Sequence, residues 1–585
     1  MDIFSILTLI GGLALFLYGM DLMGDGLKNL AGGKLESILA KLTSTRFLGF
    51  LLGFIVTAVI QSSSATTVML VGFVNSGIMK LGQTISIIMG ANIGTTVTSW
   101  LLSLTGIEGS TVFLKLLKPE SFTPVLAIIG IIMLMMCKTD TKKNTATILL
   151  GFSILMFGME SMSGAVEGLK NNQTFTSMLT MFSNPIMGIL VGTIFTAIIQ
   201  SSSASVGILQ AMSLTCIIPY STAIPVILGQ NIGTTITPII SSISGNTESK
   251  RVAFSCLYIK MIGVVLVAVP FYLLDYFIGF SFMDQQATIF NIAVIHTLFN
   301  ILSTVVLLPL CSLIEKLAIK TVKGKQTQEN LGAFDTLDER FLSIPTFAVE
   351  KCRELVCEMA IISQEALEKA SSLLDNFSKE DFARVLDAEK LVDKYEDKTS
   401  SYLVKIATQS ISAKDSKSVT ELLHCIGDIE RISDHAVNIA EAAQEIYDKK
   451  ISFSTHAKKD LQIITNAVLE VLDLAVKALE DDDVSLAKNV EPLEQVIDRL
   501  KRKIKAGHIS RLTQGDCTME LGFILSDLLT NYERVADHCS NIAICLIEIS
   551  TDTFEAHKYM KSIKNHNDES FDRLYENYKE KYSLE

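Results

Sequence analysis

Two copies of the tetrapeptide Gln-Ser-Ser-Ser are the residues most suited to chemistry in this chain. Each copy offers an amide, three hydroxyls and, where a helix starts, free backbone N–H groups. A helix N-terminus carries partial positive charge and unpaired donors, so it binds an anion without a formal cation. We expect a tetrahedral oxyanion to be bound by Gln61, Ser62, Ser63, Ser64, Gln200, Ser201, Ser202 and Ser203. The alternative is that these groups only form hydrogen bonds between neighbouring helices.

A second duplicated motif, Asn-Ile-Gly-Thr-Thr, starts at Asn92 and again at Asn231. Gly94 and Gly233 permit an unwound backbone there, and amide and hydroxyl oxygens are hard ligands that suit a small cation. With a hydroxyl that follows each Gln-Ser-Ser-Ser motif, the expected sodium ligands are Asn92, Thr95, Thr66, Asn231, Thr234 and Ser205. The alternative is a glycine that serves helix packing, with Asn and Thr as helix caps.

Both motif pairs are separated by the same 139 residues, and so are other polar positions, such as Asp21 and Glu160. Chance similarity between apolar segments does not place polar residues in a shared register. The chain therefore contains a duplication, with repeats of about 1–138 and 139–315.

The elements that carry these motifs are apolar runs, some too short to cross a bilayer. The run 46–60 gives about 22 Å of helix against a hydrocarbon core of about 30 Å. It stops at Gln61, and the run 185–199 stops in the same way, which predicts broken or re-entrant helices surrounded by protein or water. Lysines after 137 and at 316–325 favour a cytoplasmic location for those loops and an outside N-terminus, so the repeats are inverted. This pattern indicates a secondary transporter.

Charge is divided unevenly along the 585 residues. Residues 1–330 hold 18 Lys and Arg and 14 Asp and Glu, whereas the remainder holds 32 and 48. Only a bilayer solvates a half so poor in charge, and the acidity of the other half argues against nucleic-acid binding. Ten scattered cysteines without metal or disulfide spacing predict reduced thiols.

Few charged or titratable side chains lie inside the apolar runs, and such residues are candidates for function. Lys260 lies in the run 252–274, and His296 lies in the run 287–314, four residues before Asn300. We expect a role in coupling for these three residues. For His296, the alternative is a hydrogen bond that bridges two helices.

These residues resemble the type II sodium/phosphate cotransporter family, whose hallmark is a duplicated Gln-Ser-Ser-Ser element in inverted repeats. The resemblance covers about 1–315 and implies sodium-coupled transport of inorganic phosphate by alternating access. In bacterial relatives a His-x-x-x-Asn element stands in two successive helices. Here the second is intact, while the first has Cys256 and Lys260 at those places. The Lys260 ammonium would either replace a bound sodium ion or extend to the membrane interface.

From about 342 the pattern changes to six long amphipathic helices with a duplication of their own, at an offset of 103 residues. Acidic residues four apart share one helix face and repel each other unless an arginine or a metal compensates. Carboxylate oxygens suit divalent or ferric ions, so the candidate ligands are Glu430, Asp434, Glu533, Asp537, Asp393, Asp397, Glu494 and Asp498. The alternative is an acidic face bridged by Arg431 and Arg534.

This half resembles the PhoU family of phosphate-signalling proteins, which implies two three-helix bundles that regulate phosphate uptake. We expect an all-α chain with a polytopic transport domain (1–320), a linker (321–341), a PhoU-like domain (342–551) and a charged tail (552–585). It should lie in the plasma membrane with its second domain cytoplasmic, and it should not be an enzyme. A membrane-anchored phosphate sensor, a different oxyanion or coupling ion, export, and homo-oligomer formation stay open.

Overall fold

Two compact units, Met1–Phe347 and Ala348–Glu585, make up the computed structural model. It describes residues 3–31, 45–106, 119–166, 182–215, 218–324, 333–343, 345–409, 411–514, 517–550 and 569–584. Every regular element in these ranges is a helix, as expected. The nine cysteines that the structure describes are free thiols.

The first unit contains the duplicated helices. The helices of the first repeat are α1 (Ile3–Ala31), α2 (Arg46–Ile60), α3 (Ser63–Asn75), α4 (Leu81–Gly94), α5 (Thr96–Ser103) and α6 (Pro119–Met136). The helices that follow are α7 (Asp140–Val166), α8 (Pro185–Ile199), α9 (Ser202–Thr215), α10 (Tyr220–Gly233), α11 (Ile236–Ser242), α12 (Thr247–Ile278), α13 (Ile289–Leu307) and α14 (Cys311–Thr321). Six helical segments in the described ranges are long and apolar enough to cross a membrane.

The first helices of the two repeats, α1 and α7, pack against each other in antiparallel directions. A Cβ atom at Gly19 would lie 2.3 Å from the Leu155 nitrogen, and one at its repeat equivalent, Gly158, would lie 2.3 Å from the Phe16 nitrogen. Small residues allow helix backbones to approach this closely inside a membrane. Because equivalent helices run in opposite directions through equivalent contacts, the repeats are inverted, as the sequence predicts.

Part of the predicted linker is packed on the first unit. Short 3₁₀ helices span Ala333–Thr336 and Glu339–Ser343, and the Phe341 ring is fully buried. A Cβ atom at Gly72 of α3 would lie 2.8 Å from that ring, and Asn75, at the end of α3, donates to the Asp338 carboxylate at 2.8 Å. The first unit ends at Phe347 and so includes the predicted linker of 321–341, where the described segment is anchored by the buried Phe341 ring.

The second unit is built from long amphipathic helices, as expected, and one helix of four residues. They are α15 (Pro345–Leu373), α16 (Lys379–Ala407), α17 (Ala413–Lys449), α18 (Thr455–Asp481), α19 (Val484–Ala487), α20 (Val490–Gln514), α21 (Met519–Ser550) and α22 (Glu569–Lys581). The last helix lies in the predicted tail and is attached to α18, since Lys581 forms an ion pair with Glu470 at 2.7 Å.

Candidate functional site

Each Gln-Ser-Ser-Ser motif lies where one short helix stops and a second begins, as the sequence predicts. Gln61 and Gln200 both have φ of 59°, in the left-handed region that residues other than glycine rarely adopt. The hydroxyls of Ser62 and Ser201 then accept the backbone N–H three residues on, each at 3.2 Å. These serines cap α3 and α9, and the other N–H groups of each first turn have no acceptor within the helix.

Both motifs line a single cavity of about 550 Å³ in the first unit. All eight residues expected to bind the anion are in its wall. The Ser64 hydroxyl on one motif donates to the Gln200 backbone oxygen on the other at 3.4 Å. Two half-helix N-termini separated by 139 residues in sequence therefore face the same space.

Helix α1 supplies charged residues to this cavity that were not among those expected from the motifs. Asp21, Asp25 and Lys28 are in the wall, spaced four and three residues apart on one helix face. Carboxylates beside an anion site repel an unaccompanied anion and attract cations. The spacing was a signal in the sequence, although the equivalent positions of the other repeat, Gly164 and Glu167, differ in type from Asp25 and Lys28.

Hydroxyl pairs behind the motifs repeat the symmetry. The Thr57 hydroxyl donates to that of Thr66 at 3.0 Å, and the Thr196 hydroxyl donates to that of Ser205 at 2.8 Å. These contacts tie each short helix to the half-helix that follows it. Thr66 and Ser205, both expected as sodium ligands, are fully buried and used in this way.

The two glutamines are not equivalent in the folded chain. Gln61 is 7% exposed; its side-chain oxygen accepts from Thr98 at 2.7 Å, and its amide nitrogen donates to the Ala58 backbone oxygen. Gln200 is exposed in the cavity wall. Only Gln200 therefore has an amide ready to meet a ligand in this conformation.

The backbone is not unwound at the Asn-Ile-Gly-Thr-Thr motifs, although glycine would permit it, and the alternative of a glycine that serves helix packing is the arrangement present. Thr95 separates α4 from α5 with φ −60° and ψ −28°, which are right-handed helical values. Glycine is needed there for packing, because a Cβ at Gly94 would lie 2.7 Å from the Phe54 oxygen and one at Gly233 would lie 2.5 Å from the Thr193 oxygen. The motif is a close helix contact that carries polar side chains.

The hydroxyls of these motifs bond within their own helices. Thr95 donates to the Ala91 oxygen at 2.9 Å, and Thr234 donates to the Asn231 oxygen at 2.7 Å. Each hydroxyl proton is donated to a backbone oxygen, so the lone pairs of the hydroxyl oxygen stay available to a cation.

Lys260 is buried and reaches the second Asn-Ile-Gly-Thr-Thr motif. Its side chain is 6% exposed, and its Nζ donates to the Asn231 Oδ1 at 2.8 Å. The lysine therefore does not extend to the membrane interface in this structure. Its partner is one of the residues expected to bind sodium, 29 positions away in sequence.

His296 bridges two helices through a hydrogen bond, which was the alternative to a role in coupling. Its Nδ1 lies 3.0 Å from the Ser99 hydroxyl on α5, and the side chain is 1% exposed. Asn300 donates to the His296 backbone oxygen at 2.8 Å, so its amide is used inside α13.

In the second unit, carboxylates gather on the first bundle. Oxygens of Glu389, Asp393 and Asp434 all lie within 4.8 Å of one another, close enough to hold one metal ion. Glu389 was not among the expected ligands, although it precedes Asp393 by four residues. Arg431 also approaches Asp434 at 3.8 Å, so the expected alternative of an arginine bridge is present as well.

The second bundle holds a more buried acidic group. Burial, followed by the charges of Glu491, Asp498, Asp537 and Glu533, raises the pKa of Glu494 to about 8. Lys501 forms an ion pair with Glu533, and Arg534 lies 3.4 Å from Asp537. Because the pKa is raised in the folded state, the stabilisation from protonated Glu494 is complete below the ordinary pKa and is lost as pH rises through about 8.

A crossed set of hydrogen bonds connects α17 and α21. The Nδ1 of His538 lies 2.8 Å from the Asp428 carboxylate, and the Nδ1 of His435 lies 2.8 Å from Asn531. The two histidine rings stack with centroids 5.7 Å apart. The second duplication thus also forms a two-fold arrangement. Its two halves differ in the partner of the histidine, which is the Asp428 carboxylate in one and the Asn531 amide in the other.

Comparison with known families agrees with the division into two units. A family model described as Na+/Pi-cotransporter matches residues 15–164 and again 154–285, once for each repeat. A model described as PhoU domain matches residues 356–443 and 461–546.

Individual relatives match one or both units. YjbB of Salmonella typhimurium, named as a candidate inorganic phosphate export protein, is 23% identical over 93% of this chain and 98% of its own length. The uncharacterized protein YqeW of Bacillus subtilis is 31% identical over 53% of this chain and 96% of its own length. Sodium-dependent phosphate transport protein 2A of Rattus norvegicus is 37% identical over 16% of this chain and 15% of its own length.

Proposed function

Because the chain belongs to the Na+/Pi-cotransporter family and carries a PhoU domain, we propose that it moves inorganic phosphate across the plasma membrane by sodium-coupled alternating access. The observation that carries this proposal is the single cavity lined by both Gln-Ser-Ser-Ser motifs. Two inverted half-sites around one space are what a carrier needs to present the same ligand to either side of a membrane.

Phosphate is held in this proposal by groups without formal positive charge. Ser63, Ser64, Ser202 and Ser203 provide hydroxyls, and the first turns of α3 and α9 provide N–H groups and the positive ends of two helix dipoles. Gln200 adds an exposed amide. A site of this kind binds a tetrahedral anion and still releases it, because none of these groups carries a full positive charge, and Lys28 in the same wall lies beside the carboxylates Asp21 and Asp25.

Cations enter with the phosphate. The Asp21 and Asp25 carboxylates in the same wall make the empty cavity unfavourable for a lone anion and favourable for an anion accompanied by sodium. Asn92 and Thr95 supply oxygens for a sodium ion in the first repeat. Both residues are buried inside the first unit, so a cation bound to their oxygens has lost most of its water.

The PhoU domain regulates this transport from the cytoplasm. Glu389, Asp393 and Asp434 fit a divalent or ferric ion by donor type and spacing. A bound ion would draw α16 and α17 together, and the occupied and empty domains would then differ in rigidity. The crossed histidine contacts between α17 and α21 would carry that difference to the second bundle.

The test is flux through the purified full chain in liposomes. An imposed sodium gradient should drive phosphate uptake, and lithium or choline should not replace sodium. Ser63→Ala and Ser202→Ala should each lower apparent phosphate affinity about tenfold, the effect of losing one hydrogen bond to a charged ligand. Ser103→Ala, whose hydroxyl only donates to the Trp100 oxygen on its own helix, is the matched control. Unchanged flux in both motif variants would contradict the anion site.

Export of phosphate is the second candidate, and the name of the full-length relative YjbB favours it. Liposomes loaded with phosphate and diluted into phosphate-free buffer measure this direction. Phosphate binding without flux in either direction would instead support a membrane-anchored sensor.

A further inference from the structure

Lys260 lies where a charge is costly to bury. It is 13 residues into α12, about 20 Å along the helix axis. Among the residues that the structure describes, Lys260 forms no ion pair. Its Nζ donates a hydrogen bond to a neutral amide oxygen, the Asn231 Oδ1. Intramembrane charges without an acidic partner are rare and are retained for function.

The repeat symmetry identifies the place that this ammonium occupies. Asn231 is the counterpart of Asn92, Thr234 of Thr95, and Gly233 of Gly94. The same helix contact surrounds both amides. In the first repeat, the Asn92 side chain makes no hydrogen bond to any described residue, a lysine included. One half of the molecule therefore has an open amide oxygen, and the other has the same oxygen bound to a fixed positive charge.

We propose that the Lys260 ammonium is a tethered substitute for the sodium ion of the second repeat, so that each phosphate travels with one sodium ion fewer than in a carrier with two open sites. An ammonium and a sodium ion carry the same charge and are both attracted to amide oxygens. With Nζ at 2.8 Å from Asn231, a second cation on that oxygen would be repelled at close range in a medium of low dielectric. Lys260 is in this sense a positioning residue for coupling. The inference rests on the proposed sodium-coupled transport and specifies its ion ratio.

The test compares the full chain with Lys260→Gln, which removes the charge and keeps a hydrogen-bonding end, and with Lys260→Arg, which keeps the charge. Lys250→Gln, on the same helix near its start and only partly buried, is the matched control. Simultaneous uptake of radioactive sodium and phosphate into liposomes gives the ion ratio directly. We expect Lys260→Gln to carry one sodium ion more per phosphate and to depend more steeply on sodium, while the arginine and control variants keep the ratio of the unsubstituted chain.

A structural role alone would lower flux and stability without changing this ratio. An unchanged ratio in a Lys260→Gln protein that transports would overturn the inference. If Lys260→Gln does not transport, sodium titration of thermal unfolding decides: sodium should stabilise this variant more than the unsubstituted chain, and an equal effect would overturn the inference. Absence of phosphate flux in the unsubstituted chain would count against the proposed function, whereas the sodium titration would still test the tethered charge.

Discussion

Thr98 and Thr237 occupy equivalent positions in the two repeats, yet their hydroxyls differ in the folded chain. Thr98 donates to the Gln61 side chain at 2.7 Å, whereas the buried Thr237 hydroxyl has no partner among the described residues. A buried acceptor that loses its donor costs more than the hydrogen bond itself is worth. The duplicated sequence therefore predicts similar roles for two residues whose energetic contributions are unlike.

Thr98→Val should destabilise the protein by about 1–3 kcal/mol, because the Gln61 oxygen is left without a donor. Thr237→Val, the same substitution at the equivalent position, should have little effect or a stabilising one, since it removes an unsatisfied buried hydroxyl. Thermal unfolding of the detergent-purified full chain measures both. Equal losses of stability in the two variants would contradict this assignment of hydrogen bonds.

Residue types and spacing were enough to predict the breaks at Gln61 and Gln200, because a polar cluster interrupts two helices that are too short to span a bilayer. They did not predict the partner of Lys260, since that contact joins α12 to α10 and depends on tertiary packing. They also could not separate Gln61 from Gln200. The two side chains have identical flanking serines, and only their neighbours in space differ.

At the level of helices, the contact between α1 and α7 holds the inverted repeats together. Gly19→Ala should separate these helices, because the new Cβ would meet the Leu155 backbone nitrogen at 2.3 Å. Overpacking of this kind costs typically about 1–3 kcal/mol. We expect a lower unfolding temperature and reduced phosphate flux.

Gly11→Ala on the same helix is the control, since nothing lies within 4 Å of its new Cβ. It should match the unsubstituted chain or exceed it slightly in stability, because alanine favours helix. If both glycine variants behave alike, backbone contact between α1 and α7 does not limit the fold.

The bounds of the short helices at 46–60 and 185–199 were predicted to the residue, because a polar motif interrupts each, and boundaries were predicted less well where a single residue decided them. The predicted linker ended near 341, whereas Phe341 buries its ring against α3 and extends the first unit to Phe347. Phe341 and Phe347, which both pack against the Phe73 ring, were a weak signal in a largely polar stretch. At the Asn-Ile-Gly-Thr-Thr motifs the sequence left two possibilities open, an unwound backbone or a glycine that serves helix packing, and the close contacts at Gly94 and Gly233 select the second.

For the molecule as a whole, the second unit is expected to respond to metal. Elemental analysis of the purified full chain should find an ion that is lost in the double variant Asp393→Asn, Asp434→Asn and retained in the control Asp387→Asn, an exposed acid on the same helix. Burial and neighbouring acids raise the pKa of Glu389 and of Glu430. Protons therefore compete with the metal, and occupancy should rise with pH. A metal-free unsubstituted chain at alkaline pH would contradict the metal site.

If the hydrogen bond between Lys260 and Asn231 replaces a sodium ion, as proposed, it also affects the direction of net phosphate transport. Each sodium ion that accompanies a substrate adds its own concentration gradient and about 2.3 kcal/mol per 100 mV of membrane potential to the driving force. At 100 mV, removing one ion lowers the steepest phosphate gradient that the carrier can build by roughly 40-fold through the potential alone, and by a further factor equal to the sodium concentration ratio. Such a carrier reaches equilibrium at a modest internal phosphate concentration. Above that concentration its net phosphate flux is outward. A lysine in place of a sodium ion would therefore let the protein release phosphate from a cell that holds a surplus of it.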